Sequence, residues 1–123
     1  MASILIIDDD DDLRQALCEQ LREAGHDICS ASGGDEALEL IDSLTLDLVI
    51  TDIVMELGEG IETIRRLREH APDMPIIAMS GNTDYLHYTE QLGASCTIEK
   101  PFRMAKMHEA VNELLGPSAA KAR

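Results

Sequence analysis

Leu48-Val49-Ile50-Thr51-Asp52 joins an uninterrupted run of apolar and β-branched residues to a carboxylate, and this run determines the class of fold. A run without polar interruptions predicts a strand that is buried on both faces. Such strands belong to parallel sheets that helices cover on both sides. Asp52 then lies where a buried strand emerges from the core, which makes it the first candidate for a functional residue.

Four further short runs, two of them strongly apolar and the second and fifth in chain order weaker, alternate with segments of helical period. These runs cover residues 4–7, 26–31, 75–79 and 95–98. The first helical segment carries Leu13, Leu17 and Leu21. Gly25 follows the segment, at the position where glycine is typical of a left-handed C-cap. Alternation of this kind predicts an α/β fold, a three-layer doubly wound (βα)₅ sandwich with parallel strand order 2-1-3-4-5.

The length of 123 residues fits one domain with a core of its own and excludes a second sizeable one. The last helical segment stops at Gly116-Pro117, and small polar residues follow. We therefore expect one domain over residues 1–116 and a disordered tail over 117–123.

The composition excludes several functions. Asp and Glu number 24 against 10 Lys and Arg, a net charge of −14 that opposes direct binding to nucleic acid or anionic membranes. No apolar run approaches the roughly 18 residues of a membrane span, and no basic signal-peptide region begins the chain, so we expect no membrane insertion and a cytoplasmic location. Two Tyr and one Phe disfavour flavin clamps and base-stacking platforms.

Unusual polar residues stand at the predicted strand ends. Asp8 and Asp9 follow the first strand, Ser80 follows the fourth, and Lys100 follows the fifth. Together with Asp52 these side chains converge on one rim of a parallel sheet. Three neighbouring carboxylates repel one another unless a cation lies between them, and oxygen ligands without His or Cys fit Mg²⁺, with Mn²⁺ as an alternative.

A metal and a lysine at such a rim can neutralise an incoming phosphoryl group, and an Asp there can become an acyl phosphate. The acidic run also has a simpler explanation at its far end. Asp10, Asp11 and Asp12 stand at a helix start, where acidic side chains cap free N–H groups and favour the helix dipole.

Four motifs in order resemble the receiver domain of two-component response regulators, the single-domain chemotaxis type included, over residues 3–116. The motifs are Ile-Leu-Ile-Ile-Asp-Asp-Asp at 4–10, Asp-Leu-Val-Ile-Thr-Asp-Ile-Val-Met at 47–55 with Gly60, Ile-Ile-Ala-Met-Ser-Gly at 76–81, and Glu-Lys-Pro-Phe at 99–102. The resemblance implies the flavodoxin-like fold of the chemotaxis regulators.

The resemblance implies that Asp52 accepts a phosphoryl group from a phosphohistidine on a sensor histidine kinase or a histidine phosphotransfer protein. It also implies a Mg²⁺ site in which Asp9 binds the ion directly, Asp8 acts largely through water, and Asp52 and the backbone carbonyl of Val54 complete the protein ligands. The chain would catalyse only its own phosphoryl transfer and dephosphorylation.

Three further roles follow from the resemblance. Ser80 is the switch hydroxyl, Lys100 is the ion-pairing lysine, and the peptide bond before Pro101 is commonly cis. Phosphorylation would then shift a protein-binding surface made of the fourth helix, the fifth strand and the fifth helix, for a downstream protein that the sequence does not identify.

The sequence departs from the family pattern at three places. Met55-Glu56 stands where Met-Pro is usual, so the loop loses a rigid φ angle, and Gly81 replaces a common Ala. Thr97 stands where many members carry Tyr or Phe. We therefore expect phosphorylation chemistry of the family type and a different coupling to output.

Three alternative functions remain. A phosphate-independent, receiver-like interaction module is compatible with Thr97 and Glu56, although the acceptor residues are retained. A Mg²⁺-dependent aspartyl phosphatase uses a similar strand-end Asp but usually has a cap to enclose its substrate. An electron carrier of similar fold would need a Ser/Thr-rich phosphate-binding loop after the first strand, which the sequence lacks, and aromatic rings to sandwich a flavin, for which two Tyr and one Phe are too few.

Overall fold

Strands and helices alternate along the chain in the computed structural model, which describes residues 2–53 and 59–121. Within these residues the elements are β1 (Ser3–Ile7), α1 (Asp11–Glu23), β2 (Asp27–Ala31), α2 (Gly34–Ser43), β3 (Leu48–Asp52), α3 (Glu59–His70), β4 (Ile76–Ser80), α4 (Thr83–Leu92), β5 (Cys96–Glu99) and α5 (Met104–Lys121).

The strands form one parallel sheet in the order β2-β1-β3-β4-β5, which confirms the predicted topology. All five residues of β3 and of β4 are buried, because these strands have a neighbour on each side and helices above and below. The edge strands β2 and β5 are partly exposed. Their weaker apolar pattern in the sequence reflects this edge position.

The sheet separates two apolar clusters among the described residues, and β1 contributes to both. Ile4 and Ile6 pack into one cluster, with residues of α1 and α5. Leu5 and Ile7 pack into the other, with residues of α2 and α3 and with Leu86 of α4. Because successive side chains of a strand point to opposite faces, burial on both faces requires an apolar residue at every position. Each such side chain contributes roughly 1.5–3 kcal/mol by leaving water.

A capping side chain fixes the start of α1, and a glycine fixes the end of α4. Asp10 caps α1, accepting hydrogen bonds from the N–H groups of Asp12 at 3.1 Å and Leu13 at 3.2 Å. This confirms the capping explanation for Asp10, and Asp11 and Asp12 lie in the first turn. Helix α4 ends at Leu92, and Gly93 caps it. The φ of Gly93 is 117°, a left-handed conformation that favours glycine.

A kink divides the end of α5. Gly116 interrupts the helix with a φ of 79°, as a glycine followed by proline suggests, and residues 117–121 continue as helix. Proline is compatible with the first position of a new helical turn. The domain boundary at residue 116 and the disorder of the tail stay predictions. Among the described residues, no helix combines the length and apolar character needed to cross a membrane.

Candidate functional site

Three side chains from separate strand ends meet at the carboxyl edge of the sheet. Asp8 follows β1, Asp52 is the last residue of β3, and Lys100 follows β5. The Nζ atom of Lys100 lies 3.1 Å from Asp8 Oδ2 and 3.2 Å from Asp52 Oδ1. Asp8 is fully buried and Asp52 is 4% exposed, so the lysine bridges two carboxylates that water reaches poorly.

Asp9 completes an acidic cluster beside this bridge. Asp8, Asp9 and Asp52 each offer a carboxylate oxygen, and these oxygens all lie within 4.8 Å of one another. Asp9 is exposed, so one side of the cluster is open to solvent. Three carboxylates against one ammonium leave negative charge, and an all-oxygen donor set fits a hard cation such as Mg²⁺. Val54, the fourth predicted ligand, and Met55-Glu56 lie outside the described residues.

The surroundings of Asp52 disfavour its charged form. Burial, followed by the negative charge of Asp8, raises the pKa of Asp52 above its ordinary value, and the charge of Lys100 only partly offsets this. For Lys100, burial acts to lower the pKa, but the hydrogen bond and charge of Asp8, together with Asp52, raise it above the ordinary value. Lys100 therefore stays protonated, while Asp52 has an unmet requirement for positive charge.

Asp8 is held on three sides. Its Oδ1 atom accepts a hydrogen bond from the N–H of Asp10 at 2.9 Å, and Oδ2 accepts one from Lys100. The Arg14 guanidinium on α1 donates to the backbone carbonyl of Asp8 at 2.6 Å. Arg14 was not predicted as a site residue, because its helical spacing places it near the start of α1 without indicating which carbonyl it reaches.

Ser80 ends β4 at the same edge and is fully buried. Its Oγ atom accepts a hydrogen bond from the N–H of Asn82 at 3.0 Å, and its carbonyl accepts one from the N–H of Lys100 at 2.9 Å. The peptide bond between Lys100 and Pro101 is cis, the isomer that the resemblance implies. Ser80 thus lies next to Lys100 and contacts Asn82, the residue that caps α4.

Thr97, at the position where an aromatic residue is usual, makes a polar contact. Its Oγ1 atom donates a hydrogen bond to Glu90 Oε1 at 3.3 Å, which connects β5 to α4. The missing ring at this position is evident from the sequence, whereas the partner on α4 is not.

The family model described as "Response regulator receiver domain" matches residues 4–112 of the chain. Among curated proteins, the chain is 36% identical over 110 residues to the transcriptional regulatory protein YrkP of Bacillus subtilis, covering 88% of the chain and 47% of YrkP. It is 32% identical over 114 residues to the response regulator MprA of Mycolicibacterium vanbaalenii, covering 91% of the chain and 49% of MprA. The chain therefore spans about half the length of these relatives.

Solved structures of similar sequence have the same fold. The chemotaxis protein CheY4 of Vibrio cholerae superposes with a TM-score of 0.87 at 25% identity, covering 93% of this chain and 98% of that one. The response regulator TrrA of Thermotoga maritima, solved in complex with Mg(2+)-BeF, superposes with a TM-score of 0.85 at 33% identity, covering 93% of this chain and 99% of that one.

Proposed function

The chain belongs to the family of response regulator receiver domains, and on this premise we propose that Asp52 accepts a phosphoryl group from a phosphohistidine of a sensor kinase or phosphotransfer protein. The observation that carries the proposal is the arrangement of Asp52, Lys100, Asp8 and Asp9 at one edge of the sheet. A nucleophilic carboxylate, a fixed ammonium and an acidic cluster open on one side are what phosphoryl transfer to an aspartate requires.

In the proposed step an Asp52 carboxylate oxygen attacks the phosphorus atom and forms an O–P bond. The P–N bond to the histidine of the donor breaks, and its electron pair stays on the imidazole nitrogen. Lys100, already between Asp8 and Asp52, can move its Nζ contact from Asp52 to the phosphoryl oxygens. Dephosphorylation is the attack of water on the same phosphorus atom, which releases inorganic phosphate and restores the carboxylate.

Asp8, Asp9 and Asp52 would hold Mg²⁺, or Mn²⁺ in its place, and the Val54 carbonyl is a further ligand in this proposal. When bound, the cation supplies positive charge against both the carboxylates and the phosphoryl oxygens. The buried position of Asp8 and Asp52 strengthens this requirement, since charge is poorly solvated there. The similar regulator TrrA was solved in complex with Mg(2+)-BeF, which supports the proposal of a Mg²⁺ site in the present chain.

Phosphorylation would draw the Ser80 hydroxyl toward the new phosphoryl oxygens and shift the surface formed by α4, β5 and α5. That surface would bind a downstream protein in the cytoplasm. The proposed output is thus a change of protein partner, and the chain would act as an enzyme only in its own phosphorylation and dephosphorylation.

Intact mass after incubation with Mg²⁺ and acetyl phosphate tests the proposal. We expect wild type to gain one phosphoryl group and Asp52→Asn to gain none. Asp42→Asn is the matched control, because Asp42 is exposed on α2 away from the site, and it should behave as wild type. Failure of wild type to gain mass while Mg²⁺ binds would favour the phosphate-independent module, and uptake by Asp52→Asn would assign the acceptor elsewhere.

A further inference from the structure

We propose that Asn82 couples Ser80 to the first turn of α4, so that Tyr85 on α4, in place of an aromatic residue on β5, changes its environment on phosphorylation. The inference rests on the proposed function, because it needs a phosphoryl group on Asp52. It assigns Asn82 as a positioning residue, which acts on the output surface without contacting the phosphoryl group.

A continuous chain of hydrogen bonds leads from Ser80 into α4. The N–H of Asn82 donates to Ser80 Oγ at 3.0 Å. The Asn82 side chain caps α4, with Oδ1 accepting from the N–H of Asp84 at 2.9 Å and from that of Tyr85 at 3.4 Å. The backbone of Asn82 therefore senses the Ser80 hydroxyl, and its side chain holds the first turn of the helix.

The other end of α4 is fixed by a different set of contacts. The Arg68 guanidinium on α3 donates to the Gly93 carbonyl at 2.6 and 3.0 Å and to the Met74 carbonyl at 2.6 Å. Thr97 of β5 donates to Glu90 in the last turn. The carboxyl-terminal end of α4 is thus attached to the connection after α3 and to β5, while its amino-terminal end is attached to Ser80.

This asymmetry determines where movement of Ser80 is transmitted. If Oγ turns toward a phosphoryl oxygen, the Asn82 N–H loses its present acceptor and must follow the hydroxyl or find another partner. The cap transmits that change to Asp84 and Tyr85. Thr97 has no ring that could rotate, and its hydroxyl is bound to Glu90, so the fixed end of α4 offers no equivalent response.

Tyrosine fluorescence reports directly on this helix. The sequence contains two Tyr and no Trp, and both tyrosines, Tyr85 and Tyr88, lie on α4, where each residue is 42% exposed. Their spacing of three residues places them on one face of the helix. A change in tyrosine emission is therefore a change at α4.

The experiment uses the full chain with Mg²⁺ and acetyl phosphate, and measures tyrosine emission and intact mass on the same samples. We expect wild type to change its emission in proportion to the phosphorylated fraction. Asn82→Ala should take up phosphate like wild type. Its change in emission per phosphorylated molecule should be less than about half of the wild-type change, because loss of the cap shifts the equilibrium between the ordered and the frayed first turn of α4 about fivefold. Asn82→Ser keeps a neutral capping oxygen and should restore the response.

Single tyrosine variants locate the response. Tyr88→Phe should retain most of the change, because Tyr85 has its own N–H bound to Asn82, and Tyr85→Phe should lose most of it. An equal change per phosphorylated molecule in wild type and Asn82→Ala would overturn the inference, as would an unchanged emission in phosphorylated wild type. Absence of any phosphoryl uptake would appear in the mass alone and would overturn the proposed function together with the inference.

Discussion

Partly or fully buried charged side chains lie at both the carboxyl edge of the sheet, where the strands end, and the amino edge, where they begin, but the two edges satisfy them differently. At the carboxyl edge, Lys100 lies between Asp8 and Asp52, and Asp9 adds a further negative charge. At the amino edge, the Arg68 guanidinium donates to several backbone carbonyls, those of Gly93, Ala71, Pro72 and Met74. Burial raises the pKa of Asp52 and lowers the pKa of Arg68, so each edge carries a cost of desolvation.

The acidic cluster at the carboxyl edge is a candidate binding site, whereas Arg68 and the carbonyls that it binds form a fixed structural contact. Backbone carbonyls satisfy the donors of Arg68 permanently, and the guanidinium fixes the ends of two connections. The carboxylates exceed the cations at the opposite edge, so we expect that edge to gain stability by taking up positive charge from solution. The contribution of the site residues to the free energy of unfolding should therefore depend on Mg²⁺, and the contribution of Arg68 should not.

The largest effect is expected from Lys100→Met. Removal of the lysine leaves two buried carboxylates without their cation, which should lower the free energy of unfolding by about 3–5 kcal/mol in the absence of metal. Urea unfolding with a chelator and then with Mg²⁺ measures the loss and its recovery. Lys106→Met removes an exposed lysine of α5 and is the control; an equal loss in both variants would contradict the bridging role.

Mg²⁺ alone should stabilise wild type by about 2.7 kcal/mol at a concentration of one hundred times its Kd. The reason is the excess of carboxylates, so Asp9→Asn should weaken binding of the ion. Thermal unfolding against Mg²⁺ concentration measures the effect. Asp12→Asn, also exposed but in the first turn of α1, should retain the wild-type dependence; a metal effect that survives in Asp9→Asn and disappears in Asp12→Asn would place the ion elsewhere.

Arg68→Lys should lower the free energy of unfolding by about 2 kcal/mol, because an ammonium cannot reach the carbonyls of Gly93 and Met74 together. The loss should be the same with and without Mg²⁺, in contrast to that of Lys100→Met. Arg65→Lys is the control on the same helix. The Arg65 side chain is half exposed and forms one surface ion pair, with Glu62 at 3.3 Å, so its replacement should change the free energy of unfolding little. A metal-dependent loss in Arg68→Lys would show that the two edges are coupled.

The smallest effect concerns pH. Because the pKa of Asp52 is raised in the folded state, the folded chain binds its proton more readily than the unfolded chain does. Without metal, the stability that Asp52 contributes should decline as pH rises from the ordinary carboxyl pKa through the raised one. Urea unfolding across that range should show a shallower decline for Asp52→Asn, and identical profiles would refute the shift. Mg²⁺ favours the charged form and should weaken the dependence.

The strand runs predict most of this architecture, because burial on both faces leaves a signal at every position of β3 and β4. The chain order of strands and the rule for parallel connections then bring Asp8, Asp52 and Lys100 together without any knowledge of distances. The edge strands give a weaker signal, since exposed positions relax the requirement for apolar residues.

The contacts of Arg68 and Asn82 were not predictable in the same way. Arg68 reaches carbonyls 3 to 6 residues away and another 25 residues away, and helical spacing does not indicate these targets. Asn82 has the residue type of a helix cap, which a search for caps would have found. Its contact with Ser80 depends on the turn after β4, for which the sequence offers only Gly81.

A sheet with an independent cluster on each face has an evolutionary consequence. The α4 side rests on Leu5 and Ile7, and the α5 side rests on Ile4 and Ile6. Substitutions on separate faces share few partners, so their energetic effects are expected to add. We therefore expect a substitution in the layer that carries α4 to leave the packing beneath α5 unchanged, so that the two layers can accumulate substitutions separately.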